Sequence, residues 1–154
     1  MNTKVSETQA TTSAVLIRDT EASTNIAINE LNEQLALGQR FLAALARRDF
    51  EGLEACFQPD ARFRALVPSG VREGIGPEHT VAWFYLWFGT AEQFEMQKMD
   101  TERMHDRLHI CYRIRLIKEG LLQSIEQQAY CEVTGGRISV MNLLCSGFRP
   151  EANS

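Results

Sequence analysis

The chain has 154 residues, of which 44% are hydrophobic and 23% charged, as is typical of one soluble globular domain with a sizeable core. Its formal net charge is −4 and no basic run exceeds Arg47-Arg48, so we expect no nucleic-acid partner, because such binding needs a positive surface. The longest apolar stretch, Val81 to Phe88, is far shorter than the ~20 residues of a membrane helix, so we expect no membrane partner. The opening MNTKVSETQATT does not resemble a secretion signal, and we expect a cytoplasmic protein.

Cysteine and histidine spacing argues against a bound metal. The four cysteines, at positions 56, 111, 131 and 145, and the three histidines form no ligand spacing of a known zinc site. Each cysteine lies in an apolar-patterned element, which favours free buried thiols over disulfides. We therefore expect neither a metal site nor a cofactor.

The polar N-terminus differs in composition from the rest of the chain. Residues 1–26 are rich in Thr, Ser and Glu and bury too little apolar area to offset chain entropy. We predict a disordered N-terminal arm over residues 1–26, a single domain over 27–150 and a short tail over 151–154.

The domain begins with two predicted helices. The first runs from about Ile28 to Arg48, on an apolar stripe with steps of three and four residues. Gly38 lies inside that stripe, where it either lets another backbone or a bound molecule come close or marks a weak point. Asp49 is a suitable cap for a second, short helix, which is predicted to carry Phe57 and to end at Pro59.

A strand is predicted next, over residues 60–67, and then a third helix with clear end signals. Gly76 lies at its cap, Pro77 at its first position and Gly89 just past its end. Between them, VAWFYLWF is apolar on all sides, which indicates a buried helix. We expect this helix to contact a sheet and, in addition, a ligand or a second subunit.

From Glu92 onward the apolar residues recur at a period of two, which predicts antiparallel strands. Turns are predicted at His105-Asp106-Arg107, at Lys118-Glu119-Gly120 and at Thr134-Gly135-Gly136-Arg137. Helices at the front and an antiparallel meander at the back predict an α+β fold.

This order of elements resembles the nuclear transport factor two-like superfamily and, within it, the SnoaL-like domain proteins. The resemblance rests on ALARRDFEGLEACFQPDARF, REGIGPEHTVAWF and YCEVTGGRISVMNLL, and it covers roughly residues 30 to 148. It implies a cone-shaped, curved antiparallel sheet with a mixed edge, wrapped around three helices as in cystatin-like folds. It also implies an apolar hollow and dimers formed through the outer sheet face.

The resemblance also implies where catalytic groups of the family enzymes would lie. Ketosteroid isomerases would need a carboxylate base just before Pro68, where this chain has Leu66 and Val67. Epoxide hydrolases would need an Arg-x-Asp pair, where this chain has Arg113 and Arg115. The acids of the known family enzymes are thus not at the matching positions, and the sequence leaves catalysis open.

Polar residues on otherwise apolar strand faces are the main candidates for the binding site. Tyr112, Gln127 and Asn142 fit this description on neighbouring strands, and burying them unpaired would cost roughly 1–3 kcal/mol each. They either orient a small molecule or pair with one another or with water.

The third helix supplies the remaining candidates. Trp83, Tyr85 and Trp87 form either an apolar pocket wall or plain core. His79 and Asn142 are weak catalytic candidates, with His79 as a base near the mouth or a surface histidine. Cys145 would act as a nucleophile only beside a base, which the sequence does not supply.

Two functions follow from this interpretation. The first is binding of a small, largely apolar molecule in the hollow, with isomerase-, cyclase- or hydrolase-type acid–base chemistry left open. The alternative is a non-catalytic dimeric module whose cone is filled by its own side chains. We expect Arg113 and Arg115 to point outward, on a homodimer face that includes Tyr130, Met141 and Leu143.

Overall fold

The computed structural model describes residues 3–152, with the side chains of residues 20–152. The chain divides into two units, Met1–Glu33 and Gln34–Ser154. The first unit, as far as it is described, is helical throughout, and the second holds the sheet and the other helices. None of the helices within residues 3–152 is both long and apolar enough to span a membrane.

Helix α1 spans Thr3–Ala46 and therefore begins well before the predicted start near Ile28. Residues 3–27 contain neither proline nor glycine, so the backbone meets no residue that would stop a helix there. The division of the chain into an arm, a domain and a tail stays a prediction.

Helices α2 and α3 begin at the caps that the sequence indicates. Helix α2 covers Phe50–Glu54, and the side chain of Asp49 accepts a hydrogen bond from the Gly52 amide at 3.0 Å. Helix α3 covers Pro77–Phe88 and has Gly76 at its cap. The predicted end of the second helix was wrong, because Phe57 already begins a strand.

Seven strands form one mixed sheet: β1 Phe57–Val67, β2 Gly70–Ile75, β3 Gln93–Met104, β4 Arg107–Lys118, β5 Leu121–Thr134, β6 Arg137–Cys145 and β7 Arg149–Pro150. Their order is β2-β1-β6-β5-β4-β3, with β7 pairing β5. Strand β1 runs parallel to β6, and the other pairs are antiparallel. The predicted α+β fold, a curved and unclosed sheet with three helices, is confirmed. Strands β2 and β7 are short and were not predicted.

The concave face of the sheet carries the core of the second unit. Alternate residues of β4 and β5 are buried against α1 and α3, and phenylalanines of both helices lie in the same cluster. Gly38 of α1 lies under Thr101 of β3, and a Cβ at position 38 would collide with that side chain. The first of the two readings of Gly38, close approach of another segment, is therefore the right one.

A β-bulge changes which face the end of β6 presents. Glu132 pairs with Val140 and Val133 with Ile138, which leaves Ser139 as an extra residue. The Ser139 hydroxyl donates to the Glu132 carbonyl at 3.1 Å and so holds the bulge.

One extra residue moves every later side chain to the opposite face. Ile138 and Met141, three positions apart, are therefore both buried, as are Leu143 and Cys145. The predicted faces of β6 were wrong: Asn142 points outward, while Met141 and Leu143 point inward and leave the expected dimer face.

The convex face of β4 and β5 carries ion pairs, as expected for the two arginines of β4. Arg113 Nε donates to Glu126 Oε1 at 2.6 Å, and Arg115 Nε lies 3.0 Å from Glu151 Oε2. Both arginines therefore point away from the core.

Candidate functional site

Aromatic rings fill the space between the concave face and the helices. Phe84 of α3 is fully buried and contacts the rings of Phe41, Phe63 and Trp87, with ring centroids 5.5 to 5.8 Å apart. Phe41 in turn contacts Phe57 and Tyr112. The chain's own aromatic side chains thus fill the space around Phe84, beneath the third helix, where a hollow was expected.

Open space remains at one end of the sheet, in what we call the end pocket. It has a volume of about 240 Å³ and lies where β1 ends, β5 begins and β6 ends, beside α3. Its lining is aromatic and aliphatic with few polar groups: Val67, Pro68, Ser69, Arg72, Trp83, Leu86, Trp87, Ile125, Cys145, Gly147 and Phe148.

Helix α3 forms one wall with residues at helical spacing. Trp83, Leu86 and Trp87 lie at positions i, i+3 and i+4 and therefore share a face. The Trp83 indole N–H donates to the Glu73 carbonyl at 3.0 Å, which fixes the ring against β2. The two tryptophan rings stack with centroids 6.3 Å apart.

A chain of hydrogen bonds, which we call the polar relay, leads from the core to this pocket. The Tyr112 hydroxyl donates to Gln127 Oε1, and Gln127 Nε2 donates to Cys145 Sγ at 3.4 Å. The Gly147 amide donates to the same sulfur at 3.3 Å. Cys145 is thus the point where the relay meets the pocket wall.

Burial sets the protonation state at the inner end of the relay. Tyr112 is 2% exposed, and burial raises its pKa well above the ordinary value for tyrosine, with Cys145 and Cys131 adding to the effect. The phenol therefore stays protonated, and remains a hydrogen-bond donor, to a higher pH than an ordinary tyrosine does. The amide of Gln127, which is 1% exposed, accepts from Tyr112 and donates to Cys145, and so links the two side chains.

Arg72 is the charged side chain of the lining. Its Nη2 donates to Ser69 Oγ at 2.7 Å and its Nη1 to the Val71 carbonyl at 3.2 Å. The guanidinium carbon lies 5.6 Å from the centre of the Trp83 ring, within cation–π range. These contacts hold the guanidinium in place at the edge of the pocket.

The structure brings some of the predicted site residues together and separates others. Trp83 and Trp87 line the end pocket, whereas Tyr85 is 54% exposed and packs edge-on against Phe50. Tyr112 and Gln127 do meet, but they bond to each other, and they lie behind Cys145 rather than in the lining.

The two weak catalytic candidates lie elsewhere. Asn142 is on the convex face beside Tyr130, so its predicted place in the hollow was wrong. The bulge at Ser139 turns the side chain of Asn142 away from the concave face. His79 is exposed on the first turn of α3, with Nδ1 3.1 Å from the Ile75 carbonyl, and it does not line the pocket. The binding roles of the remaining candidates stay predictions.

Sequence reasoning missed the other lining residues. Arg72, Ile125 and Phe148 join the pocket from three separate segments, and no local pattern links them. Cys145 was weighed only as a nucleophile. Its place at the end of the last strand was the one signal that pointed to the pocket.

No family model and no curated protein matches this sequence. Several solved structures share its fold. A LEH-like epoxide hydrolase of M. tuberculosis has a TM-score of 0.59 and 19% identity, over 76% of this chain and 85% of that chain. A putative polyketide cyclase of Xanthomonas campestris pv. campestris has a TM-score of 0.59 and 17% identity, over 74% and 90%.

An NTF-2 like protein of unknown function from Burkholderia xenovorans has a TM-score of 0.57 and 15% identity, over 80% of this chain and 88% of that chain. The predicted resemblance to nuclear transport factor two-like and SnoaL-like proteins is confirmed at the level of the fold. At these identities the likeness shows the fold alone.

Proposed function

We propose that this chain, whose fold is that of NTF-2 like and SnoaL-like proteins, binds a small, largely apolar molecule in the end pocket, as a cytoplasmic protein. The observation that carries the proposal is the pocket's aromatic lining above an interior that is otherwise filled. Concave, mostly apolar sites with a few placed polar groups are the usual form of small-molecule sites.

The size of the pocket limits the ligand. Its volume of about 240 Å³ is below the ~300–1,000 Å³ that is usual for drug-sized ligands. Flat apolar surfaces are offered by the rings of Trp87 and Phe148, and Ile125 adds an aliphatic side chain. We therefore expect a molecule of about one ring.

The lining favours binding over acid–base catalysis. Among the residues that the structure describes in the pocket wall, none is Asp, Glu or His. Val67, at the place where the isomerase-like base would lie, presents an apolar side chain instead. Proton transfer needs a group within hydrogen-bond reach of the substrate, and carboxyl and imidazole groups are the usual ones.

Tryptophan fluorescence tests the proposal directly, because both tryptophans of the chain line the end pocket. A neutral single-ring probe such as benzyl alcohol should change the emission in a saturable way. Val67→Phe fills the pocket and should weaken this binding at least tenfold.

Val140→Phe is the matched control, since Val140 lies on the convex side of β6 and does not line the pocket. It should leave the titration unchanged. A titration that does not saturate, or one that Val67→Phe leaves intact, would overturn the proposal.

Assembly as a homodimer is a second candidate function, and an apolar patch on the convex face favours it. Leu66 pairs with Val71 on β2 and with Leu144 on β6, and these three side chains are 53%, 45% and 55% exposed. They border a groove of about 340 Å³. Contiguous exposed apolar surface on a sheet is typical of an interface.

The rim of this patch suits a second copy of the same chain. Arg64 and Glu73 lie beside it, with Arg64 Nε 3.6 Å from Glu73 Oε1. An isologous interface uses the same surface on both copies, so a rim with one charge of each sign is self-complementary. Met141 and Leu143, which were predicted on the dimer face, point inward. The candidate interface is formed instead by Leu66, Val71 and Leu144.

Sedimentation velocity checks the assembly. Leu144→Glu should convert a dimer into a monomer, because it places a charge within the apolar patch. Leu121→Glu, at a leucine that is 58% exposed at the start of β5, should not change the sedimentation coefficient. A wild-type monomer at all concentrations would rule this candidate out.

A further inference from the structure

We propose that the ligand of the end pocket is a small apolar carboxylic acid, bound as the anion with its carboxylate on Arg72. This rests on the proposed function and adds the chemical class of the ligand. Three features support it: the charge of Arg72, the fixed position of its guanidinium and the lack of acidic groups in the described pocket wall.

Arg72 has no acidic partner among the described residues, unlike four other arginines of the sheet. Four arginines of the sheet lie within ion-pairing distance of a glutamate: Arg64 of Glu73, Arg107 of Glu132, Arg113 of Glu126 and Arg115 of Glu151. Among the described residues, no carboxylate lies within that distance of Arg72. Its positive charge is therefore available to a ligand.

The guanidinium is also positioned before any ligand arrives. Ser69 Oγ and the Val71 carbonyl each accept one of its five N–H groups, and the ring of Trp83 lies beside it. The remaining N–H groups have no acceptor in the described part of the chain. A planar guanidinium with free N–H groups suits a carboxylate, which is a charged acceptor with two oxygens.

Lys118 adds positive charge outside the lining, next to three of the lining residues. Its Nζ donates to the carbonyls of Leu86 and Trp87 at 3.0 and 3.3 Å and lies 5.1 Å from the centre of the Phe148 ring. Two cations therefore flank an apolar cavity whose described lining has no acidic group. This arrangement favours a ligand with an apolar body and one negative charge.

A carboxylate fits better than a phosphate ester. Arg72 is the charged side chain of the described lining, and Lys118 lies outside it, so a phosphate dianion would place its second charge against apolar walls, where it is costly. The body of the ligand would lie against Trp87, Ile125 and Phe148, with the carboxylate at the Arg72 edge.

The test compares phenylacetate with 2-phenylacetamide, which has nearly the same shape but no charge at pH 7. Binding is followed by tryptophan fluorescence and confirmed by calorimetry. The wild type should bind the anion about tenfold more tightly than the amide, since hydrogen bonds between charged groups are the stronger ones. Added salt should reduce this preference.

Arg72→Gln should remove the preference and leave amide affinity within about twofold of the wild type, because the apolar side chains of the lining are kept. Arg113→Gln is the matched control on the convex face and should leave both affinities unchanged. Circular dichroism and thermal melting confirm that both variants fold.

The possible outcomes separate the two proposals. Equal affinities for anion and amide in the wild type, or a preference that survives Arg72→Gln, would overturn the carboxylate proposal while the pocket itself stands. If neither probe nor benzyl alcohol binds the wild type, the proposed function fails and the carboxylate proposal fails with it.

Discussion

Two neighbouring residue pairs on strands β4 and β5 show how differently the two faces of the sheet use polar groups. Tyr112 pairs with Gln127 on the concave face, and Arg113 pairs with Glu126 one position further on the convex face. The first pair is almost completely buried, while the side chains of the second are 48% and 47% exposed. The same ladder thus carries a buried neutral pair and a solvated ion pair.

The comparison shows that burial, more than charge, decides what a polar pair contributes. A buried group left without its partner costs roughly 1–3 kcal/mol, because it has lost water as well. An exposed ion pair contributes about 0.2–1 kcal/mol, because water and salt screen it. The buried pair can therefore act as a fixed element behind the end pocket, whereas the exposed pair can be exchanged at little cost.

The largest effect is expected from breaking the packing on the concave face. Phe84→Ala removes a fully buried ring that contacts three others, and it should lower the free energy of unfolding by about 3–5 kcal/mol. Urea denaturation measures the change. Tyr85→Ala, next to it on α3 but 54% exposed, should cost about 1 kcal/mol from its contact with Phe50. Equal losses would show that the interior is not filled as described.

Tyr112→Phe addresses the buried pair itself. It leaves Gln127 Oε1 without its donor and should lower the free energy of unfolding by roughly 1–3 kcal/mol at pH 7. Tyr130→Phe is the control, because Tyr130 is 39% exposed on the convex face. Urea denaturation at pH 7 should separate the two variants clearly.

The pH dependence of this difference follows from the raised pKa of Tyr112. Folding keeps the phenol protonated at pH values where the unfolded chain already ionises, so the unfolded state loses its proton first. The stability that Tyr112 contributes should be complete below about pH 10 and should fall as the pH rises further. A gap between wild type and Tyr112→Phe that widens above this pH would contradict the burial of the hydroxyl.

The smallest effect is expected at the exposed pair. Glu126→Gln should lower the free energy of unfolding by about 0.2–1 kcal/mol at low salt, and this difference should disappear at high salt. Thermal melting of the wild type and the variant at two salt concentrations measures this difference. A loss as large as that of Tyr112→Phe would mean that the two faces do not differ as the comparison states.

Much of the fold was predictable from local signals, and the exceptions have identifiable causes. The cap at Asp49, the glycine and proline at the start of α3 and the hairpin at Gly135-Gly136 all act within a few residues, and all were read correctly. The face of Asn142 was not, because the bulge at Ser139 arises from pairing with β5, which local alternation cannot show.

The candidate site was less predictable than the fold. Trp83 and Trp87 were singled out because the third helix is apolar on all sides and rich in aromatic residues. Arg72 is recognised only when the pocket lining is known, and Cys145 only when its two N–H donors are known. Both depend on contacts between segments that are distant in sequence.

The most direct test of the central claim is a methyl NMR titration of isoleucine-labelled protein with benzyl alcohol. Ile125 lines the end pocket, Ile110 and Ile138 lie in the filled interior, and Ile75 is exposed. The account predicts a saturable shift of the Ile125 methyl signal and of the two tryptophan indole N–H signals, with Ile110, Ile138 and Ile75 unchanged. Shifts at Ile110 and Ile138 without one at Ile125 would place the ligand in the interior and contradict the account.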